Sequence, residues 1–241
     1  MLSGFGGYKN VIEIGAGTGA LTQFLFPKSA YAFLILDIDE ESIQFLHKKY
    51  PERQADIQLI DFLNMPFPAD MPPTAIIGNF PYNISSQIFF RVLENPKLFP
   101  EVIGMLQKEV AVRLASKPGN KDYGILSVLL QAWYKVDYCF TVDEHVFDPP
   151  PKVKSGVIRM QLQPGLKPET SWPTFHKVVK TAFNQRRKTL RNALSAFLHT
   201  SELKELPIFN KRAEQLSFLE FEHLVELISK QAHGKSESVG D

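Results

Sequence analysis

The first two-thirds of the chain alternates short apolar runs with amphipathic stretches. The runs have the length of buried strands, and the stretches between them carry apolar residues in helical spacing. Because strands that alternate with helices favour a parallel sheet covered on both faces, the pattern predicts a mostly parallel, doubly wound α/β domain. The predicted strands are 11–14, 31–36, 57–60, 74–77 and 102–106, and the predicted helices are one from about Ala20 and those at 40–50, 84–93 and 123–134.

The pattern changes near the three prolines at 149–151. One more apolar run, 155–162, predicts a strand that returns to the edge of the sheet. A linker that contains prolines is predicted at 164–173, and helical spacing dominates beyond it, from Phe175 to Phe197.

The last predicted helix spans 219–228. Ser217 is suited to be its N-cap, and Glu220 to complete a capping box with it. Together these patterns predict an α/β domain over 1–165, a small all-helical domain over 166–233 and a disordered tail over 234–241.

The composition is that of a folded protein with a core of its own. Of the 241 residues 44% are hydrophobic, yet the longest apolar run, 30–36, is far shorter than the ~18 residues of a membrane span. The N-terminus lacks the features of a signal peptide. The lone Cys139 excludes an internal disulfide framework and a multi-cysteine metal site. We therefore expect a cytoplasmic protein with no metal and no membrane partner.

The near-neutral charge of the chain hides a basic segment. The whole sequence has 27 basic and 26 acidic residues, but 174–201 has six basic residues and no acid, which leaves 21 basic and 26 acidic residues elsewhere. Such a segment indicates a surface for a polyanion, although a solvated helix face is the alternative. The six residues are Lys177, Lys180, Arg186, Arg187, Lys188 and Arg191.

A glycine cluster follows the first predicted strand. Gly15, Gly17 and Gly19 allow a tight turn and the close approach of a ligand, and Asp37 ends the next strand, where an acid can accept hydrogen bonds from both hydroxyls of a ribose. The pattern also fits a nicotinamide dinucleotide site, and a glycine turn without a ligand is a third possibility.

Two features favour S-adenosylmethionine over a dinucleotide. Glu13 lies inside the first strand, where a buried acid needs a partner and is suited to hold the loop or the cofactor's ammonium group. Asp61 ends the third strand and can accept a hydrogen bond from the adenine amino group, with Phe62 covering the ring. Asp61 taken alone is more typical of a helix cap or a loop.

The segment Asn79-Phe80-Pro81-Tyr82 follows the fourth strand. One interpretation of this segment is a plain turn, because Asn and Pro are common in turns. Chemically, the Asn79 side-chain oxygen and the Phe80 carbonyl can accept both N–H groups of an adenine amine, which frees the nitrogen lone pair for attack. Pro81 fixes the loop, and Tyr82 offers a flat face for a flipped base. The segment therefore predicts a catalytic loop for adenine N-methylation.

The chain resembles the ribosomal RNA adenine dimethyltransferases, and within them the KsgA family. The resemblance runs from about Val11 to Ile228, and its last motif separates this family from relatives that methylate large-subunit RNA. The motifs are 79–85 (NFPYNIS), 107–114 (QKEVAVRL), 147–153 (FDPPPKV) and 185–192 (QRRKTLRN).

The resemblance implies a Rossmann-like S-adenosylmethionine-dependent methyltransferase sheet with a small C-terminal all-helical domain. It implies transfer of methyl groups to N6 of two adjacent adenosines near the 3′ end of small-subunit (16S) ribosomal RNA, during assembly of the small subunit, by a monomer. Gly15, Asp37, Asp61 and Asn79 match the family's cofactor-contacting residues. Phe147 matches an aromatic near the target base, although a core Phe before a proline turn is equally compatible.

The basic segment fits an RNA substrate. Arg186, Arg187, Lys188 and Arg191 are expected to contact phosphates, and Lys152, with Lys154, is expected to extend that surface.

One departure from the family pattern bears on activity. The family carries a further segment before the glycine loop, with a Gln/Asn-containing motif that helps to close the cofactor pocket, whereas ten residues precede Val11 here. The alternative function is therefore a ribosome-assembly binding factor with weak or no catalysis. A DNA adenine methyltransferase with a similar catalytic loop is a third hypothesis, against which the 185–192 motif argues.

Overall fold

The computed structural model describes residues 2–147, 150–165 and 168–234, with the backbone alone for 231–234. The chain forms two compact units. The first contains the residues up to Val112 together with Tyr134–Gln163, and the second contains Arg113–Trp133 together with the chain from Pro164 onwards. The boundaries of these units differ from the predicted single boundary at residue 165, because 113–133 packs with the C-terminal helices.

The first unit is built on one seven-stranded sheet of order β3-β2-β1-β4-β5-β7-β6. Strands β1 to β5 are parallel to one another, and β7 is antiparallel to both β5 and β6. The sheet is therefore mostly parallel, as the sequence pattern predicts. Its strands are β1 Asn10–Ile14, β2 Ala32–Asp37, β3 Ile57–Leu59, β4 Thr74–Asn79, β5 Glu101–Gln107, β6 Tyr134–Val142 and β7 Ser155–Leu162.

Helices follow β1, β2 and β4 in the first unit and form most of the second unit. The strands are rich in buried Val, Ile, Leu and Phe, as expected of a sheet covered by helices. The helices are α1 Thr22–Leu25, α2 Glu40–Lys49, α3 Ser85–Glu94, α4 Lys108–Ala115, α5 Ile125–Gln131, α6 Trp172–Asn184, α7 Leu190–Ala193, α8 Ser201–Glu205 and α9 Phe218–Gly234.

The register brings the carboxyl ends of three strands together. Ile14 of β1 pairs with Leu36 of β2 on one side and with Gly78 of β4 on the other. The residues that follow these three therefore begin loops at the same edge of the sheet. Between β1 and β4 the strand order reverses, and in open α/β sheets this is where ligands bind.

Two expectations at the end of the sheet are wrong. The strand 155–162 has the predicted bounds but lies between β5 and β6 rather than at the edge. The helix expected over 123–134 ends at Gln131, and Tyr134 instead begins the edge strand β6. The β6 signal is weak because an edge strand needs few apolar residues: most of its side chains are at least partly exposed, and Lys135 and Asp137 form an ion pair on it.

In the second unit, α5 packs against α6 and α9, and the Tyr123 and Phe183 rings are in contact. The predicted capping box is confirmed: Glu220 donates its backbone N–H to the Ser217 hydroxyl at 3.2 Å, and its carboxylate accepts the Ser217 N–H at 2.9 Å. Within the described residues, no helix combines the length and the apolar character that crossing a bilayer requires. The tail expected over 234–241 lies, from residue 235, outside the described residues.

Candidate active site

The glycine loop lies at the ends of β1, β2 and β4. Gly15 donates its N–H to the Leu36 carbonyl at 3.0 Å, and Gly17 donates its N–H to the Asp37 carboxylate at 2.8 Å. Two of the three predicted cofactor residues in the loop are thus tied directly to β2. The loop is held open toward the edge of the sheet, where a ligand can approach its backbone.

Gly15 has to be glycine for two reasons. Its φ of +72° lies in the left-handed region, and a Cβ there would stand 2.9 Å from the backbone oxygen of Asn79 and 3.3 Å from Pro81 Cδ. Beneath it, a Cβ on Gly78 would stand 2.2 Å from the Ile14 oxygen. The glycine loop and the catalytic loop therefore pack directly on each other.

Glu13 is buried inside β1, with 1% of its surface exposed. The Thr22 hydroxyl at the start of α1 donates to its carboxylate at 2.8 Å, so the acid ties the helix after the glycine loop to the strand before it. Burial raises the pKa of the Glu13 carboxyl to about 7; the Thr22 hydrogen bond opposes the rise, and the Asp37 charge adds to it. A cation placed near this carboxyl would favour its ionised form.

The two other acids end β2 and follow β3. Asp37 accepts hydrogen bonds from the backbone N–H groups of Gly17 and Asp39 through its two oxygens. Asp61 accepts the Leu63 N–H at 2.9 Å and the Asn64 side-chain amide at 2.7 Å. Both acids are partly exposed. A carboxylate has about four acceptor positions, so each acid keeps capacity for a ligand.

Phe62 is almost fully buried but borders a small cleft beside Asp61. It is 3% exposed, and its ring packs against Phe67 and Phe99 in the core. Ile38, which sequence reasoning missed, is 66% exposed and lines a small cleft with Asp37 and Asp61. The sequence feature that could have indicated Ile38 is its position as an apolar residue directly after the acid that ends β2.

The catalytic loop begins at the last residue of β4. Asn79 is exposed, and its side-chain amide has no hydrogen-bond partner among the described residues. Phe80 is fully buried: its N–H bonds to the Met105 carbonyl at 2.9 Å, and its ring packs on Phe89 and over Gly104. Phe80 therefore anchors the loop to the core and leaves its neighbour Asn79 free to bind.

Tyr82 is held at two points. Its carbonyl accepts a hydrogen bond from the Ser85 hydroxyl at 3.2 Å, and its phenolic oxygen lies 2.6 Å from the Ser155 hydroxyl. Sequence reasoning missed Ser155. The feature that could have indicated it is a polar residue at the start of an otherwise apolar strand.

Two adjoining cavities meet at this loop. The smaller, about 440 Å³, is lined by parts of the catalytic loop and by Asp37 and Phe147, and the larger, about 690 Å³, extends over Glu13 and the apolar side chains of the sheet. Both share Gly15, Gly17, Asn79 and Phe147. The structure thus brings the predicted catalytic loop, the glycine loop, Asp37 and the predicted target-base residues Tyr82 and Phe147 to one place.

The four residues of the second unit that are predicted to contact phosphates divide into two kinds. Arg186 donates to the Asn120 and Lys121 carbonyls, and Arg191 lies 3.5 Å from a Glu205 oxygen and donates to the Asn210 side chain. The remaining two, Arg187 and Lys188, are exposed and have no ion-pair partner among the described residues.

In the first unit Lys152 is exposed, whereas Lys154 forms an ion pair of 2.8 Å with Asp143. That pair joins the two ends of the loop between β6 and β7. Across the described ranges, no group of three or more His, Cys, Asp or Glu side chains is arranged to hold a metal ion.

Comparison with known proteins identifies the family of this chain. The family model described as "Ribosomal RNA adenine dimethylase" matches residues 8–231. The Ribosomal RNA small subunit methyltransferase A of Cytophaga hutchinsonii is 54% identical over 226 residues, which cover 93% of this chain and 87% of that protein. The protein of the same name from Bacteroides thetaiotaomicron is 52% identical over 214 residues, 88% of this chain and 80% of that one.

Solved structures show the same fold. A dimethyladenosine transferase from Plasmodium falciparum aligns with a TM-score of 0.78 at 24% identity, over 94% of this chain and 92% of that one. The 23S rRNA methyltransferase ErmE aligns with a TM-score of 0.63 at 23% identity, over 90% and 91%. The chain therefore belongs to the ribosomal RNA adenine dimethylase family and is an rRNA adenine N6-dimethyltransferase that uses S-adenosylmethionine.

Proposed function

We propose that this enzyme dimethylates N6 of two adjacent adenosines near the 3′ end of small-subunit ribosomal RNA, during assembly of the subunit. The name of its relatives, Ribosomal RNA small subunit methyltransferase A, supports the subunit. The observation that carries the chemistry is the Asn79 amide, which has no partner among the described residues and lines the cavity between the glycine loop and Tyr82. The proposal implies a monomer that acts in the cytoplasm.

The acids at the strand ends are the groups that would hold S-adenosylmethionine. Asp37 would accept the ribose hydroxyls, Asp61 the adenine amino group, and Glu13 the ammonium, directly or through water. The backbone of Gly15, Gly17 and Gly19 would border the methionine part. When bound, the cofactor supplies an electrophilic methyl group on a cationic sulfur.

Asn79 and Phe80 are proposed to prepare the attacking amine. The adenine amine is a poor nucleophile because its lone pair is delocalised into the ring. The Asn79 side-chain oxygen and the Phe80 carbonyl would accept its two N–H bonds, which favours a pyramidal nitrogen with a free lone pair. Pro81 keeps the loop rigid and brings no competing donor. Catalysis of this kind acts by positioning and electrostatics, with no covalent intermediate on the protein.

Tyr82 and Phe147 are proposed to hold the flipped base. Both line the 440 Å³ cavity that Asn79 faces. An aromatic ring stacks on any base, and such a contact contributes ~1–3 kcal/mol per base. Stacking therefore supplies binding energy while Asn79 and Phe80 supply the hydrogen bonds that select an amine.

The exposed cations are proposed to bind the phosphates of the rRNA. Arg187 and Lys188, and Lys152 in the first unit, are exposed and have no ion-pair partner in the part of the chain that the structure describes. Arg186 and Arg191 already have partners within the second unit, so they are proposed to shape the segment as well as to add positive potential.

The test is methylation of small-subunit rRNA from a strain that lacks the enzyme, followed by mass spectrometry of the 3′ region. The chain should place two methyl groups on each of two adjacent adenosines, and Asn79→Ala should lower the rate at least about a hundredfold with little loss of subunit binding. The matched control is Asn83→Ala, because Asn83 is exposed in the same loop and lies outside the residues that line either cavity.

Other outcomes would contradict the proposal. Tight subunit binding without methylation by the unaltered chain would favour an assembly factor. Methylation of duplex DNA, or of a single isolated adenosine, would contradict the proposed substrate.

A further inference from the structure

Ser155 is a fully buried hydroxyl at the start of β7. It pairs with Gln107 of β5 on one side and with Val142 of β6 on the other. The buried side chains that follow it along the strand, Val157 and Ile158, are apolar. Burying a hydroxyl without a hydrogen bond costs free energy, so a serine in this position needs a partner.

The partner is the phenolic hydroxyl of Tyr82. The two oxygens lie 2.6 Å apart, which is a normal O–H···O distance, although the residues are 73 positions apart in sequence. Tyr82 follows β4, and β5 lies between β4 and β7 in the sheet. The hydrogen bond therefore spans the end of β5 and ties the catalytic loop to a strand two places away.

This bond fixes the ring at its far end. The near end is fixed by Pro81 and by the Ser85 hydroxyl, which donates to the Tyr82 carbonyl. A partly exposed tyrosine on a loop has several rotamers open to it, and a hydrogen bond at its tip selects one of them. Tyr82 lines the cavity that Asn79 faces, whereas Ser155 is not among the described residues that line either cavity.

We propose that Ser155 is a positioning residue for methyl transfer: its hydroxyl holds the Tyr82 ring in the plane on which the target adenine stacks. The inference rests on the proposed function, in which Tyr82 is the stacking surface. The plane of the ring sets the plane of the base, and with it the direction in which the N6 lone pair points. Because the reacting atoms must be aligned, a tilted ring costs rate more than affinity.

The experiment is a double-mutant cycle of Ser155→Ala and Tyr82→Phe. Tyr82→Phe keeps the ring and removes only the hydroxyl, and Ser155→Ala removes the other half of the bond. Each should lower kcat about tenfold, the factor that the loss of one hydrogen bond corresponds to, with the KM for S-adenosylmethionine unchanged. The double variant should lose no more than either single variant, because both remove the same interaction.

Two controls separate positioning from a structural role. Tyr138→Phe removes a hydroxyl that bonds Thr141 on the same strand at 2.6 Å, and its kcat should stay at the wild-type value. Thermal unfolding of each variant is measured beside the kinetics. The inference is overturned if the double variant loses the sum of the two single losses in kcat. It is also overturned if Tyr138→Phe loses kcat too and kcat falls with thermal stability across all the variants. If Ser155→Ala does not fold, Tyr82→Phe alone decides, and a wild-type kcat overturns the inference.

The variant Tyr82→Ala distinguishes a failure of the Ser155 proposal from a failure of the proposed function. If Tyr82→Ala is as active as the wild type, the base does not stack on Tyr82, and both proposals are wrong about this residue. If Tyr82→Ala is inactive while Tyr82→Phe and Ser155→Ala are fully active, the stacking role stands and only the role of Ser155 is wrong.

Discussion

The carboxylate of Asp37 accepts the backbone N–H of Gly17 at 2.8 Å, so the acid that ends β2 holds the glycine loop that follows β1. Its other oxygen accepts the Asp39 N–H at 3.0 Å. The same side chain is the proposed acceptor of the ribose hydroxyls. One carboxylate therefore has two tasks, to shape the loop and to bind the cofactor.

Asp37→Asn should weaken cofactor binding by roughly ten- to a hundredfold, the range expected for losing hydrogen bonds to a charged acceptor. The amide keeps one acceptor oxygen but loses the charge, and its NH₂ faces the donors of Gly17 or Asp39. Calorimetry with S-adenosylhomocysteine measures the change. Asp56→Asn is the matched control, because Asp56 forms an ion pair with Arg53 and should leave the affinity unaltered. Equal affinities for wild type and Asp37→Asn would refute the assignment.

The raised pKa of Glu13 predicts that the free energy of unfolding depends on pH. Burial raises the pKa of its carboxyl to about 7 in the folded protein, from 4.5 in the unfolded chain. The folded state therefore binds more protons between those values, and the stabilisation, full below pH 4.5, is lost as the pH rises through 7. We expect the unliganded protein to lose roughly 3 kcal/mol of unfolding free energy through this group between pH 4.5 and 8.

Denaturant unfolding at pH 5 and pH 8 measures that loss. Glu13→Gln stays neutral at both values and should reduce the difference between them by about the same amount. A pH dependence that is identical in wild type and Glu13→Gln would show that Glu13 ionises normally in the folded protein.

The packing around the glycine loop predicts unequal losses of stability for two Gly→Ala changes. Gly78→Ala places a Cβ 2.2 Å from the Ile14 backbone oxygen, between central strands that have no room to separate, and should cost about 3 kcal/mol or more of unfolding free energy. Gly17→Ala meets no atom within 4 Å and suffers only from its φ of +52°, so it should cost about 1 kcal/mol. Chemical denaturation compares the two. A cost for Gly17→Ala equal to that of Gly78→Ala would contradict the packing argument.

Two exposed cations predict a change in salt dependence. Neutralising Arg187 and Lys188 together should weaken binding to small-subunit RNA and reduce the slope of log K against log salt by roughly 1.5 to 2, since two phosphate contacts are lost. Filter binding across a salt series measures the slope. Lys230→Ala, an exposed cation on α9, should change it little. An unaltered slope in the double variant would exclude these residues as a docking surface.

Much of this site is predictable because its residues lie at strand ends. A buried apolar run fixes where a strand ends, and parallel strands bring those ends to one edge, so Gly15, Asp37 and Asn79 could be placed together from sequence. The chemistry of the catalytic loop follows from its residue types.

What escaped prediction depends on contacts between distant residues. The partner of Tyr82 is Ser155, on a strand whose place between β5 and β6 no local pattern indicates. Phe62 is expected to cover an adenine ring because it follows Asp61, and the sequence does not show that its ring also packs against Phe67 and Phe99 in the core. The direction in which a side chain points is set by tertiary packing, which the local sequence does not specify.

The membership of Arg113–Trp133 in the second unit has a practical consequence for dissecting the enzyme. The chain leaves the first unit at Val112, supplies α5 to the second, and returns at Tyr134 before β6 and β7 complete the sheet. A fragment truncated after residue 165 would keep α5 but lose α6 and α9, on which its apolar side packs. Neither half can be excised as one continuous piece of polypeptide, and an autonomously folding catalytic fragment would need 113–133 replaced by a short linker.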